Sequence, residues 1–111
     1  MSELRNINVA EALTRVRDGA LLLDVREDNE WEAGRAADAT HIALSAVPDH
    51  LEDFTKERLI VCVCRSGARS ARAATFLLQN GYDAINLEGG MLAWADEGEP
   101  LVGDGDEASI I

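Results

Sequence analysis

The sequence predicts an α/β fold, a parallel sheet with helices on both faces, and three observations lead there. Short apolar runs, "ALLLDV" (20–25), "LIVCV" (59–63) and "DAINL" (83–87), alternate with segments of helical periodicity. The first two runs are apolar at consecutive rather than alternate positions, the pattern of strands covered on both sides. Asn8 introduces the first helical segment, and Gly19, Gly34 and Gly81 stand where helices should stop. Strands alternating with helices in this way form parallel α/β sheets rather than sandwiches or bundles.

Each element has its own justification. Val9, Ala12, Leu13 and Val16 repeat at helical spacing after Asn8, and Glu11, three residues on, makes a capping-box-like start. "ALLLDV" is the first buried strand. "EDNEWEAG" (27–34) is a short helix closed by Gly34, "ATHIAL" (39–44) a second buried strand, and Pro48–Phe54 a short helical stretch. "LIVCV" is the central strand. "SARAATFLLQNG" (70–81) is the strongest helix, with Ala71, Ala74, Phe76, Leu77 and Leu78 on its buried side and Gly81 as its C-cap. "DAINL" is a last strand, and "GGMLAWADEG" (89–98) turns into a final helix. The chain shows no internal repeat and no linker.

A length of 111 residues suits one domain, expected at 1–102, with the acidic stretch "GDGDEASII" (103–111) as a solvated, flexible tail. The net charge is -11, and after Arg72 there are eight acidic residues and no Lys or Arg. That balance argues against nucleic acid or an anionic membrane as partner. No apolar run approaches the ~20 residues of a membrane span, and the first residues lack the features of a signal peptide. Cys62 and Cys64 are too close to staple a loop, so a reducing, cytoplasmic setting is expected.

Chemistry concentrates at "VCVCRSGARSARAA" (61–74). A strand ends, Cys64-Arg65-Ser66-Gly67-Ala68-Arg69-Ser70 turns, and a helix begins at about Ser70. Small residues at 66, 67 and 68 let the loop curl with its N–H groups inward, an anion-binding nest at a helix N-terminus. A thiol there should have a lowered pKa, and Arg65 and Arg69 are expected to add charge in the same direction. Cys64 is therefore the candidate nucleophile. Cys62, in mid-strand, reads as a small packing residue. C-x-C is not a usual zinc spacing, and His41 and His50 stand outside any ligand pattern, so no metal is expected.

These residues resemble the active-site loop of rhodanese-like sulfurtransferases. "LLLDVRE" (21–27), "EWEAG" (30–34) and "LEGGMLAW" (87–94) resemble three further segments of that family, in the same order. The resemblance runs from about Val9 to Leu101. It implies a five-stranded parallel sheet and catalysis through a persulfide on Cys64, with residues Arg65, Ser66, Gly67, Ala68, Arg69 and Ser70 holding the transferred sulfur. Asp24 and Arg26 match supporting positions, Arg26 reading as structural, paired with Glu30. The implied partners are a small sulfane-sulfur donor such as thiosulfate and a thiol or cyanide-like acceptor, with a protein donor or acceptor left open and no cofactor. One segment departs from the pattern: in "GRAADATHIAL" (34–44), Arg35 replaces a histidine and Ala37 and Ala43 replace prolines. Arg35 is expected to add positive charge beside the site.

Two other readings compete. Cysteine phosphatases and arsenate reductases use a similar cradle, commonly Cys-x5-Arg; here Cys64 and Arg69 enclose four residues, a tighter ring suited to one sulfur atom. A non-catalytic docking module or a persulfide carrier is the alternative of a different kind, and retention of Cys64 with both arginines weighs against docking alone.

Overall fold

The computed structural model describes residues 3–111, so the first two residues of the expected domain 1–102 lie outside it. Strands Asn6–Ile7 (β1), Leu21–Asp24 (β2), Thr40–His41 (β3), Ile60–Val63 (β4) and Ala84–Leu87 (β5) form one sheet in the order β1-β5-β4-β2-β3, parallel throughout. The helices are Val9–Arg17 (α1), Asp28–Ala33 (α2), Ala68–Gln79 (α3) and Gly90–Asp96 (α4), with a 3₁₀ segment at Leu44–Asp53. β1 pairs only two residues with β5, too few to leave a periodic signal in the sequence.

Alternation along the strands divides the core in two. Val61, Val63, Leu22 and Ile85 face one side, where they pack with Val9 and Ala12 of α1 and Met91 and Trp94 of α4. Ile60, Cys62 and Leu23 face the other, against Ala73, Ala74 and Leu77 of α3 and Val47 of the 3₁₀ segment. Parallel strands buried on both faces need apolar residues at successive positions, which "LIVCV" supplies.

Three expectations need correction. The strand expected at 39–44 is reduced to Thr40–His41 at the sheet edge, with Thr40 exposed, and the chain enters the 3₁₀ segment at Leu44. An edge strand is covered on fewer sides, so apolar content alone overstated its burial. The helix expected from Ser70 begins at Ala68, with Gly67 as N-cap. Its fully buried side is Ser70, Ala73, Ala74 and Leu77, while Ala71, Phe76 and Leu78 are only partly covered. A serine occupies the stripe where an apolar residue packs in an ordinary helix, and it does so beside Cys64.

The segment 103–111, expected to be a solvated, flexible tail, is exposed at most positions and also makes backbone contacts. Asp104 N–H donates to Glu32 O (2.9 Å) and Ser109 N–H to Ala33 O (2.9 Å). Ile110 packs against the core on the α1/α4 side.

Candidate active site

The carboxyl ends of β2, β4 and β5 meet at Cys64, where ligands of parallel sheets bind. Cys64 follows the last residue of β4 and is only 1% exposed. Its Sγ accepts a hydrogen bond from Gly67 N–H (3.1 Å) and lies 3.3 Å from Ser70 Oγ. Gly67 adopts φ +113°, a left-handed conformation that costs a side chain dearly, and this turns the loop directly into α3. The thiol thus faces the free N–H groups at the start of a twelve-residue helix.

The loop is gripped from behind by α4. Met91 N–H donates to Cys64 O (2.8 Å) and Leu92 N–H to Arg65 O (3.0 Å). Gly90 makes this approach possible, since a Cβ there would collide with the Cys64 and Arg65 carbonyl oxygens. The "GGMLAW" motif therefore acts on the site through backbone contact.

Ser70 connects the thiol to the sheet. Its single hydroxyl proton has Asn86 Oδ1 (2.6 Å), Cys64 Sγ (3.3 Å) and Gly67 O (3.3 Å) as alternative acceptors, and Asn86 Nδ2 donates to Asn6 Oδ1 (2.9 Å) and Gly67 O (3.2 Å). Asn86 and Asn6, adjacent partners in the β5–β1 register, thus brace the cradle from below. Neither stood out in the sequence. The available signal is Asn86 itself, a polar residue 4% exposed in a strand whose other residues are apolar.

The two cysteines differ sharply in ionisation. Burial pushes Cys62 up to about 12, with the neighbouring Cys64 adding to the rise. At Cys64 burial also pushes upward, but hydrogen bonds from the Ser70 hydroxyl and from the Ser70, Gly67 and Ser66 backbone N–H groups outweigh it, and the thiol lies below its ordinary value. The lowering comes chiefly from the amide cradle and Ser70, and Arg69 adds charge in the expected direction, since the Arg69 pKa, raised mainly by its hydrogen bonds to Glu30, is raised further by the Cys64 thiolate.

Both arginines are already engaged. Arg69 binds Glu30 through two hydrogen bonds, Nη1 to Oε1 (2.7 Å) and Nη2 to Oε2 (2.9 Å), tying α3 to α2. Arg65 Nε donates to Ile111 O (2.9 Å). Arg26 pairs with Asp24, not with Glu30: its Nη2 meets Asp24 Oδ2 at 2.7 Å and both side chains are fully buried. Arg26 Nη2 also donates to Gly34 O (2.7 Å), which makes the pair a structural bracket between the end of β2 and the C-terminal end of α2. Arg35 brings no free charge to the site, because it lies over the Trp31 ring and its guanidinium meets Asp104 at 2.9 Å. Ala68 opens α3 as an exposed residue, and Ser66 is also exposed. Beside the loop is a cavity of about 390 Å³ lined by Glu27, Leu44, Val47, Arg69, Arg72 and Phe76, among others.

Comparison with known proteins gives the family. The family model described as "Rhodanese-like domain" matches residues 8–97. The chain belongs to the rhodanese-like family. It is 35% identical over 100 residues to the Bacillus subtilis protein named "Putative sulfurtransferase YtwF", covering 88% of this chain and 97% of that one. It is 36% identical over 103 residues to an Allochromatium vinosum protein named "Sulfurtransferase", covering 92% and 95%. The crystal structure of a rhodanese-related protein from Thermoplasma volcanium superposes with a TM-score of 0.82 at 33% identity, covering 88% of this chain and 97% of that one. At the level of the family, these relatives support a sulfurtransferase. The five-stranded parallel sheet with helices expected of a rhodanese-like fold is the one observed. Among the described residues, no helix is long and apolar enough to cross a membrane.

Proposed function

We propose that this protein moves sulfane sulfur from a donor such as thiosulfate to a thiophilic acceptor through a persulfide on Cys64. The observation that carries this reading is the cradle: a thiol lowered in pKa by hydrogen bonds from Ser66, Gly67 and Ser70, in a loop with only four residues between Cys64 and Arg69. In the first step the Cys64 thiolate attacks the outer sulfur of thiosulfate. The new S–S bond forms as the donor's S–S bond breaks, and sulfite leaves with the electron pair. The terminal persulfide sulfur then carries the negative charge that the loop N–H groups are oriented to receive. In the second step a nucleophilic acceptor attacks that outer sulfur and Cys64 departs as the thiolate, with no net oxidation of the protein. We place the acceptor at the neighbouring cavity, which is lined by Arg69 and Arg72.

Incubation with thiosulfate followed by intact-mass measurement and peptide mapping tests this. The expected result is a gain of one sulfur atom at Cys64, reversed by cyanide or a small thiol. Absence of any adduct with thiosulfate or a low-molecular-weight persulfide would overturn it and favour a docking module.

A further inference from the structure

The family match ends at residue 97, yet the chain beyond it returns to the site. Val102 and Arg35 pair in antiparallel fashion, with N–H···O bonds of 2.8 Å in both directions. Asp104 and Ser109 then donate to the carbonyls of Glu32 and Ala33, along the C-terminal turn of α2. Contact is close enough that a Cβ on buried Gly34 would collide with the Ser109 backbone. Ile110 is seated on the core, and the next residue accepts the Arg65 Nε–H bond that engages the arginine following Cys64. Three carboxylates, Asp104, Asp106 and Glu107, lie between the Arg35 and Arg65 attachments.

We infer that residues 102–111 form a strap that sets donor selectivity, holding Arg65 so that the site disfavours small, doubly charged anions relative to less charged sulfur carriers. An arginine beside a nucleophile binds an anionic donor best when its forked N–H groups can turn toward it, and the Nε–H bond to Ile111 restrains the orientation of the Arg65 fork. Here the strap supplies Arg65 with an acceptor and itself carries three carboxylates, one of them paired with Arg35. Released from the strap, Arg65 becomes a receptor for anions approaching Cys64. The inference deepens the sulfur-transfer reading and rests on it for biological meaning, but the discrimination itself is a property of the approach to the thiol.

Iodoacetate and iodoacetamide alkylate thiols by the same chemistry and differ in charge, so their rate ratio at Cys64 reads anion access without requiring sulfur transfer. The ratio is measured by peptide mapping in the full chain, in Ser109→Pro, which deletes the N–H donated to Ala33, and in Gly34→Ala, which displaces Ser109. Both variants are expected to raise the iodoacetate-to-iodoacetamide ratio about fivefold, the size of one charge contact in water. Adding Arg65→Ala should return it to the wild-type value. An unchanged ratio in the strap variants, or a rise that survives Arg65→Ala, would overturn the inference. Ser109 is exposed, so its variant carries the test alone if Gly34→Ala fails to fold. If Cys64 accepts no sulfur from any donor, that result counts against the sulfur-transfer reading, and the alkylation ratio still decides the role of the strap.

Discussion

Cys62 and Cys64 are two residues apart and face the same side of the sheet, and only their surroundings separate them. Cys62 is wholly buried among aliphatic side chains with its thiol pushed up to about 12, so it stays protonated through the range in which enzymes are assayed. Cys64 is almost as buried but receives hydrogen bonds where the strand ends. Cys64→Ser should abolish sulfur transfer while leaving the thermal melt close to wild type, because a hydroxyl fits the cradle but carries no sulfane sulfur. Cys62→Ala should retain most turnover and should leave one alkylatable cysteine in the native protein. Equal loss of activity in both variants would make Cys62 a participant in the chemistry. This contrast was largely legible from sequence, since a glycine turn with small neighbours follows Cys64 and an unbroken apolar strand surrounds Cys62.

Two ion pairs join elements around the loop, and their burial predicts different consequences. Asp24 and Arg26 are both fully buried at the end of β2, so Asp24→Asn leaves an uncompensated guanidinium in the core. A loss of about 3–5 kcal/mol is expected in urea unfolding. The pH dependence of Cys64 alkylation should stay unchanged in the folded fraction, and a shift there would give the pair a direct role at the thiol. Glu30 and Arg69 join α2 to α3 with more solvent access. The hydrogen bonds from Arg69 hold Glu30 at about 2, against the upward push of burial. A depressed carboxylate contributes its full stability above the ordinary value near 4.5 and loses it as pH falls toward 2. Glu30→Gln should therefore reduce stability at neutral pH and flatten its decline through that acid window. The elements themselves were readable, because apolar runs and capping residues are local signals. The pairings were not: Glu30 and Arg69 are 39 residues apart, and Arg26 has acidic residues on both sides in sequence. Only the strand ending at Asp24 decides which of them it meets. β1 escaped notice for a related reason, since two residues acquire their role from β5 rather than from any pattern of their own.

At the scale of the whole molecule, the site is a convergence of distant segments. β4 delivers the thiol, α3 the amides, β5 and β1 the asparagines that support Ser70, and α4 the N–H groups that hold the loop carbonyls. Composition described the final residues correctly as acidic but gave no hint of their docking, because that contact depends on main-chain hydrogen bonds and the missing Cβ of Gly34. The arginines near Cys64 looked like its activators in sequence; folding gives each an oxygen acceptor elsewhere, and Arg69 still interacts with the thiolate through its charge. Most of the thiolate stabilisation then falls to the cradle assembled from all these parts. The pKa of Cys64, taken from the pH dependence rather than the absolute rate of iodoacetamide alkylation, measures that assembly directly. The account predicts a wild-type value below that of free cysteine, a rise in Ser70→Ala, and little change in Arg65→Ala. A wild-type value equal to that of free cysteine, or a value that rises with Arg65→Ala and not with Ser70→Ala, would contradict it.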